Sequence, residues 1–136
     1  MTKAFKLGRT LSVFVLALCL MTITAATAFA DARTQIVYPS NGSLHNSAPT
    51  VVIWNQTTDV KASQLNITAL DGSFVYNSGP IYKSPGSTSY VFYIPYSVYS
   101  TMPKGKAYSL YVEDYHYTGN TYTGYSSDQA FFSVLP

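Results

Sequence analysis

Cysteine, histidine, charge and helical periodicity are all scarce in this chain of 136 residues. It holds one cysteine, Cys19, two histidines, His45 and His116, and 10% charged residues. No stretch repeats its apolar residues at the helical period. The position of Cys19 makes the first shortage decisive. Lys3, Lys6 and Arg9 precede the apolar run "LSVFVLALCLMTITAATAFA", which ends with Ala28 and Ala30 in an A-x-A pattern. A basic segment, an apolar run and small residues at a cleavage site read as a secretory signal peptide over residues 1–30. Cleavage is expected after Ala30, with Ala26 and Ala32 as alternatives. The run is nearly long enough to span a bilayer. Its Ala- and Thr-rich last third, followed by no basic cluster, favours a cleaved leader over a membrane anchor.

With the leader removed, residues 31–136 contain no cysteine, which excludes a disulfide framework, a thiolate metal site and a cysteine nucleophile. The length suits a single domain held by its core alone. Arg33, Lys61, Lys83, Lys104 and Lys106 stand against Asp31, Asp59, Asp71, Glu113, Asp114 and Asp128, a net charge of −1. The positive balance of the whole chain belongs to its leader, so nucleic acid is not an expected partner.

What is abundant is tyrosine, with thirteen copies, all after residue 30. Apolar residues alternate at period two, and turn residues recur about every eight to twelve positions, which predicts an all-β sandwich. The strands read as "TQIVY", "TVVIWNQ", "QLNITAL", "SFVYNSG", "TSYVFYIPY", "AYSLYVED" and "QAFFSVL". Val52 and Trp54 share a core face, as do Leu65, Ile67 and Ala69, then Tyr90, Phe92 and Ile94. Asp71–Gly72 reads as a type I′ hairpin turn. About seven antiparallel strands suggest an immunoglobulin-like or fibronectin-III-like sandwich over residues 31–136.

In the closing stretch, Tyr108, Leu110 and Val112 should face Phe132 and Val134 across the core. "TGNTYTG" reads as the loop between those strands. The outward residues Tyr111, Tyr115, Tyr117, Asn120, Tyr122 and Tyr125 form the candidate binding surface. Tyrosine offers a rigid apolar body to a sugar ring and a hydroxyl at its tip.

Catalytic patterns are weak. Glu113 and Asp114 are adjacent in a strand and point to opposite faces, so they cannot act as the paired carboxylates of a glycosidase. Glu113 with Asp128 across the last hairpin reads as a solvated pair. His45 and His116 read as exposed loop or strand-end residues, without a nucleophile elbow nearby. Two distant histidines make no metal-ligand spacing, and no metal or cofactor is expected. Three sequons place candidate N-glycans at Asn41, Asn55 and Asn66, all off the expected core.

Ile36, Pro39, Gly42 and Trp54 in "IVYPSNGSLHNSAPTVVIWNQ" resemble the opening of the fungal KRE/KNH cell-wall family, also described as Ser/Thr-rich GPI-anchored membrane proteins. The closing part is similar too, through Ile94, Pro95, Tyr108, Ser126, Ser127, Phe132 and Val134. The resemblance covers residues 34–135. It implies a non-catalytic extracellular module associated with wall assembly and beta-1,6-glucan. The chain departs from the family in lacking a Ser/Thr-rich stalk and a hydrophobic tail after "FFSVLP". A freely secreted protein, not a GPI-anchored one, is therefore expected. Two functions follow as expectations: binding of a cell-wall polysaccharide of beta-glucan type or support of wall assembly, or recognition of an extracellular protein in the manner of an effector or adhesion factor.

Overall fold

A computed structural model describes residues 33–136. The expected signal peptide and its cleavage site lie outside the described residues. The elements in chain order are β1 (Gln35–Tyr38), β2 (Ser43–His45), β3 (Val51–Asn55), β4 (Val60–Ala69), β5 (Val75–Asn77), β6 (Ile81–Tyr82), β7 (Ser89–Tyr93), α1 (Tyr96–Tyr99), β8 (Lys106–Thr118) and β9 (Thr121–Val134). The fold is all-β, as the period-two patterning predicts. One sheet has the order β1-β3-β7. The other has the order β2-β9-β8-β4-β5, with β6 also paired to β4.

The strand count and direction differ from expectation. Nine strands are present among the described residues, because β2 and β6 are too short to carry a legible alternation. β2 runs parallel to β9, with Ser43 opposite Phe132 and His45 opposite Val134, so the sheet is mixed and not purely antiparallel.

The two sheets enclose one core. Val52 and Trp54 from β3 meet Leu65, Ile67 and Ala69 from β4, Tyr108, Leu110 and Val112 from β8, and Phe132 and Val134 from β9, with Ile94 and Met102 completing the cluster. Apart from Met102, which lies between α1 and β8, these residues have the parity read from the sequence, since strand side chains alternate between faces. Each fully buried aliphatic side chain contributes about 1.5–3 kcal/mol. Tyr90 and Phe92 are only half-buried, because β7 is an edge strand of the smaller sheet. Tyr108 stacks on its cross-strand partner Phe132 with centroids 5.2 Å apart. Its hydroxyl donates to the carbonyl of Pro103, which satisfies the polar tip of a buried ring and pins the chain entering β8.

The last hairpin is longer than the sequence suggests. β8 and β9 pair from Lys106 with Val134 up to Thr118 with Thr121. The expected seven-residue loop is therefore two strand ends and a two-residue turn at Gly119–Asn120. Gly119 has φ 60°, and no described residue other than glycine has positive φ, the pattern of a type II′ turn. Gly124, at φ 143°, follows a bulge: His116 pairs with Gly124 and Tyr117 with Tyr122, leaving Thr123 over. The two glycines that resemble loop punctuation thus make a tight turn and a kink within a continuous ladder.

The Asp71–Gly72 turn also differs. Gly72 has φ 76° but Asp71 has none of the positive φ that type I′ demands. Gly72 N–H instead donates to the Ala69 carbonyl at 2.9 Å, so the tight turn spans 69–72 and two further residues precede β5. Asp71 caps it, accepting from Ser73 N–H at 3.0 Å and Ser73 Oγ at 2.6 Å.

Candidate functional site

The outer face of the larger sheet is built from the alternate residues of β8, β9 and β4. Tyr111, Glu113, Tyr115 and Tyr117 on β8 are half-exposed and interleave with buried Val112, Asp114 and His116. Across β9, Gln129 faces Tyr111, Ser127 faces Glu113, Tyr125 faces Tyr115 and Tyr122 faces Tyr117. Across β4, Asn66 faces Tyr111 and Gln64 faces Glu113. Five candidate tyrosines therefore share one sheet face, spread over roughly 20 Å of strand at about 3.3 Å per residue. Asn120 sits at the turn that ends the strip.

Three rings at the turn end cluster. Tyr122 lies 6.5 Å from Tyr115 and 5.7 Å from Tyr117, centroid to centroid. Lys61 Nζ stands 5.9 Å from the Tyr117 ring centre and 3.5 Å from Asn120 Oδ1, and donates to the Gly119 carbonyl. One lysine thus ties the turn to β4. Burial pushes the Tyr115 phenol above the ordinary tyrosine value, and the adjoining Glu113 carboxylate pushes it the same way. Tyr122 and Tyr125 remain 51% and 57% exposed, leaving their rings free to stack on a ligand.

Asn41 and Asn55 are exposed, and Asn66 is half-buried on the outer face, so all three avoid the core. Asn41 Oδ1 accepts from Phe131 N–H at 2.9 Å. Asn66 Oδ1 accepts from Asn77 Nδ2 at 2.5 Å and lies beside Tyr111, within the tyrosine face.

Beneath that face lies a polar cluster that the sequence reading missed. β8 keeps its inward parity past Val112, so Asp114 and His116 are both fully buried. His116 is thus a core residue, not an exposed strand end. Asp114 Oδ1 accepts from Trp54 Nε1 at 3.1 Å and from Ser63 Oγ, while Oδ2 accepts from Thr34 Oγ1 at 2.8 Å. Lys83, only 5% exposed at its side chain, places Nζ 3.7 Å from Asp114 Oδ1. The same ammonium lies 4.6 Å from the Trp54 ring centre and 4.1 Å from that of Tyr90, and donates to Gln56 Oε1. Burial lowers the Lys83 pKa to about 8, against the opposing pull of Asp114.

A chain of hydrogen bonds leads outward from Asp114. Thr34 Oγ1 meets Ser126 Oγ at 2.6 Å, Ser126 Oγ meets His116 Nε2 at 2.6 Å, and His116 Nδ1 meets Asp59 Oδ1 at 3.0 Å. Asp59 is 41% exposed. Thr57 Oγ1 also donates to Asp59 Oδ1, at 2.5 Å. That bond is the main reason the Asp59 carboxyl sits below its ordinary pKa, with His116 acting in the same direction.

The hydrogens of this chain can be assigned. Thr34 donates to the Asp114 carboxylate, so Ser126 must donate to Thr34. His116 Nε2–H then donates to Ser126, while Nδ1 faces Asp59 Oδ1 and, at 3.3 Å, Thr57 Oγ1.

Ser126, His116 and Asp59 have the spacing of a nucleophile, a base and an orienting acid. The protons run the other way: Nε2 donates to Ser126, whose own hydrogen goes to Thr34, so His116 does not activate that hydroxyl. The suggested pairing of Glu113 with Asp128 fails as well. Asp128 stands opposite Val112, on the other face from Glu113, and its Oδ2 accepts from Ile36 N–H at 2.8 Å. His45 ends β2, half-buried edge-on between Tyr38 and Phe132. Among the described residues no three His, Asp or Glu side chains converge as metal ligands.

No protein-family model, curated protein or solved structure matches this chain.

Proposed function

We propose that this chain is a secreted, non-catalytic β-sandwich module that binds a cell-wall polysaccharide of beta-glucan type through the outer tyrosine face of β8 and β9. The observation that carries the reading is the arrangement of the rings. They line a strip on one sheet face, with Tyr115, Tyr117 and Tyr122 grouped at its turn end, and a strip of that kind suits an extended sugar chain. Tyr115, Tyr117 and Tyr122 offer stacking surfaces, while Gln64, Asn66, Glu113, Ser127 and Gln129 supply hydroxyl partners beside them.

The fold type belongs to the same proposal. The sheet orders β1-β3-β7 and β9-β8-β4-β5 correspond to the two-sheet plan of immunoglobulin-like and fibronectin-III-like sandwiches. The bond from Tyr108 to the Pro103 carbonyl fits the tyrosine corner of such folds, at the start of the penultimate long strand. The resemblance to the fungal KRE/KNH family supports a wall setting.

The test is retention of the purified protein on insoluble beta-glucan, chitin and mannan. A companion variant carries Tyr115→Ala and Tyr122→Ala. Retention on beta-glucan that disappears in the folded variant supports the reading. Absence of retention on every fraction overturns it and redirects attention to an extracellular protein partner.

A further inference from the structure

The buried pair Lys83 and Asp114 has the surroundings of a reacting centre, beyond those of an ion pair alone. The ammonium is enclosed by the faces of Trp54 and Tyr90 and held by Gln56 Oε1, so its approach to Asp114 is fixed from three sides. The carboxylate is polarised unevenly. Oδ1 receives Trp54 Nε1 and Ser63 Oγ, two donors fixed on separate strands, which is the arrangement that stabilises an oxyanion. Oδ2 receives only Thr34, the inner end of the hydrogen-bond chain through Ser126 to the His116 ring. One oxygen is thus held to remain and the other is served by a proton-bearing relay. A non-catalytic sugar-binding module requires none of these features.

We propose that Lys83 and Asp114 join spontaneously in an amide bond that cross-links the folded domain. The reaction balances without any added reagent. One ammonium proton passes to the carboxylate, leaving a neutral amine and a neutral acid in a dry site. The nitrogen lone pair attacks Asp114 Cγ, and negative charge collects on Oδ1 between Trp54 and Ser63. A second proton moves from nitrogen to Oδ2, the Cγ–Oδ2 bond breaks, and water departs. The product is a secondary amide with no net change in protons or electrons. Enclosure favours the first step, since burial already draws Lys83 toward its neutral form near pH 8. The bond would tie the segment after β6 to β8 across the intervening strand β4, a covalent restraint in a domain whose described residues contain no cysteine.

The experiment is a peptide map of the purified protein, denatured, freed of any N-glycan and digested with trypsin. Cross-linking blocks cleavage after Lys83. The expected product is a branched species joining residues 62–104 to residues 107–136, lighter by one water than the sum of the two. Lys83→Arg keeps the buried cation but cannot form this amide, and should release 62–83, 84–104 and 107–136 as separate peptides. Recovery of those three linear peptides from the unaltered protein would overturn the proposal, whether or not any variant folds.

Discussion

Replacing Asp114 with Ala removes the acceptor on which four groups converge. Trp54 Nε1, Ser63 Oγ and Thr34 Oγ1 each lose their partner, at about 1–3 kcal/mol for every buried donor left unsatisfied. Lys83 is left as a buried cation without Asp114 at a site 5% exposed, and removing one partner of a buried pair in this way costs about 3–5 kcal/mol. These terms overlap, because a shifted lysine or an entering water relieves more than one of them, so the net loss should be about 5 kcal/mol. Set against a typical domain stability of about 5–15 kcal/mol, that brings the fold close to its limit. Trp54 is the chain's only tryptophan and lies inside the cluster, so urea unfolding followed by its fluorescence reads the site directly. Thr34→Val serves as the graded control. It removes one donor to Asp114 and one link to Ser126, and should cost about 1–2 kcal/mol. A loss below about 2 kcal/mol for Asp114→Ala, or equal losses for the two variants, would refute the view that the cluster is organised around this carboxylate.

Four further outcomes follow from other parts of the fold. Leu110→Ala opens a cavity between the sheets and should lower stability by about 2–5 kcal/mol, read from the urea midpoint. Gly119→Ala places a side chain at φ 60° with open space around it, so the penalty is conformational alone, about 1 kcal/mol by thermal unfolding. The Asp59 carboxyl titrates below its ordinary value of 3.8 in the folded state, so its contribution is complete above that pH and is lost as pH falls through the folded value. Asp59→Asn should therefore flatten the acid limb of the stability–pH curve. Tyr122→Ala, at a half-exposed ring, should change stability by no more than about 0.5 kcal/mol while weakening retention on beta-glucan.

Much of the core was legible because its strands alternate cleanly. Val52 with Trp54, Leu65 with Ile67 and Ala69, and Tyr108 with Leu110 and Val112 all lie where parity puts them. The same parity runs on to Asp114 and His116, but a hydrophobicity pattern stops at the first charged residue. Their burial depends on partners distant in sequence: Lys83 after β6, Thr34 before β1 and Trp54 on the opposite sheet. A strand that continues in register beyond its apolar residues was the one available signal. Gly119 and Gly124 misled in the opposite direction, because a glycine that makes a tight turn or a bulge looks in sequence like one that breaks a strand. The outward tyrosines were legible as a set through their alternation with the core residues. Their union with Asn66 and Gln64 required the register between β4 and β8, which no local pattern encodes.

The long β8–β9 hairpin also governs when the protein can fold. β8 and β9 form the centre of the larger sheet, with β4 on one side and β2 on the other, and they carry much of the buried apolar surface. During synthesis, β2 emerges well before β9 and β4 well before β8, although β4 can pair early with β5 and β6. The small sheet β1-β3-β7 can assemble early, but its inner face, including Trp54, waits for β8 to cover it. Commitment to the folded state is therefore deferred until residues 106–134 have been made. The hairpin itself then closes rapidly through its two-residue turn and offers a template on both edges at once. Until that moment the nascent chain must be kept from pairing with strands other than its own.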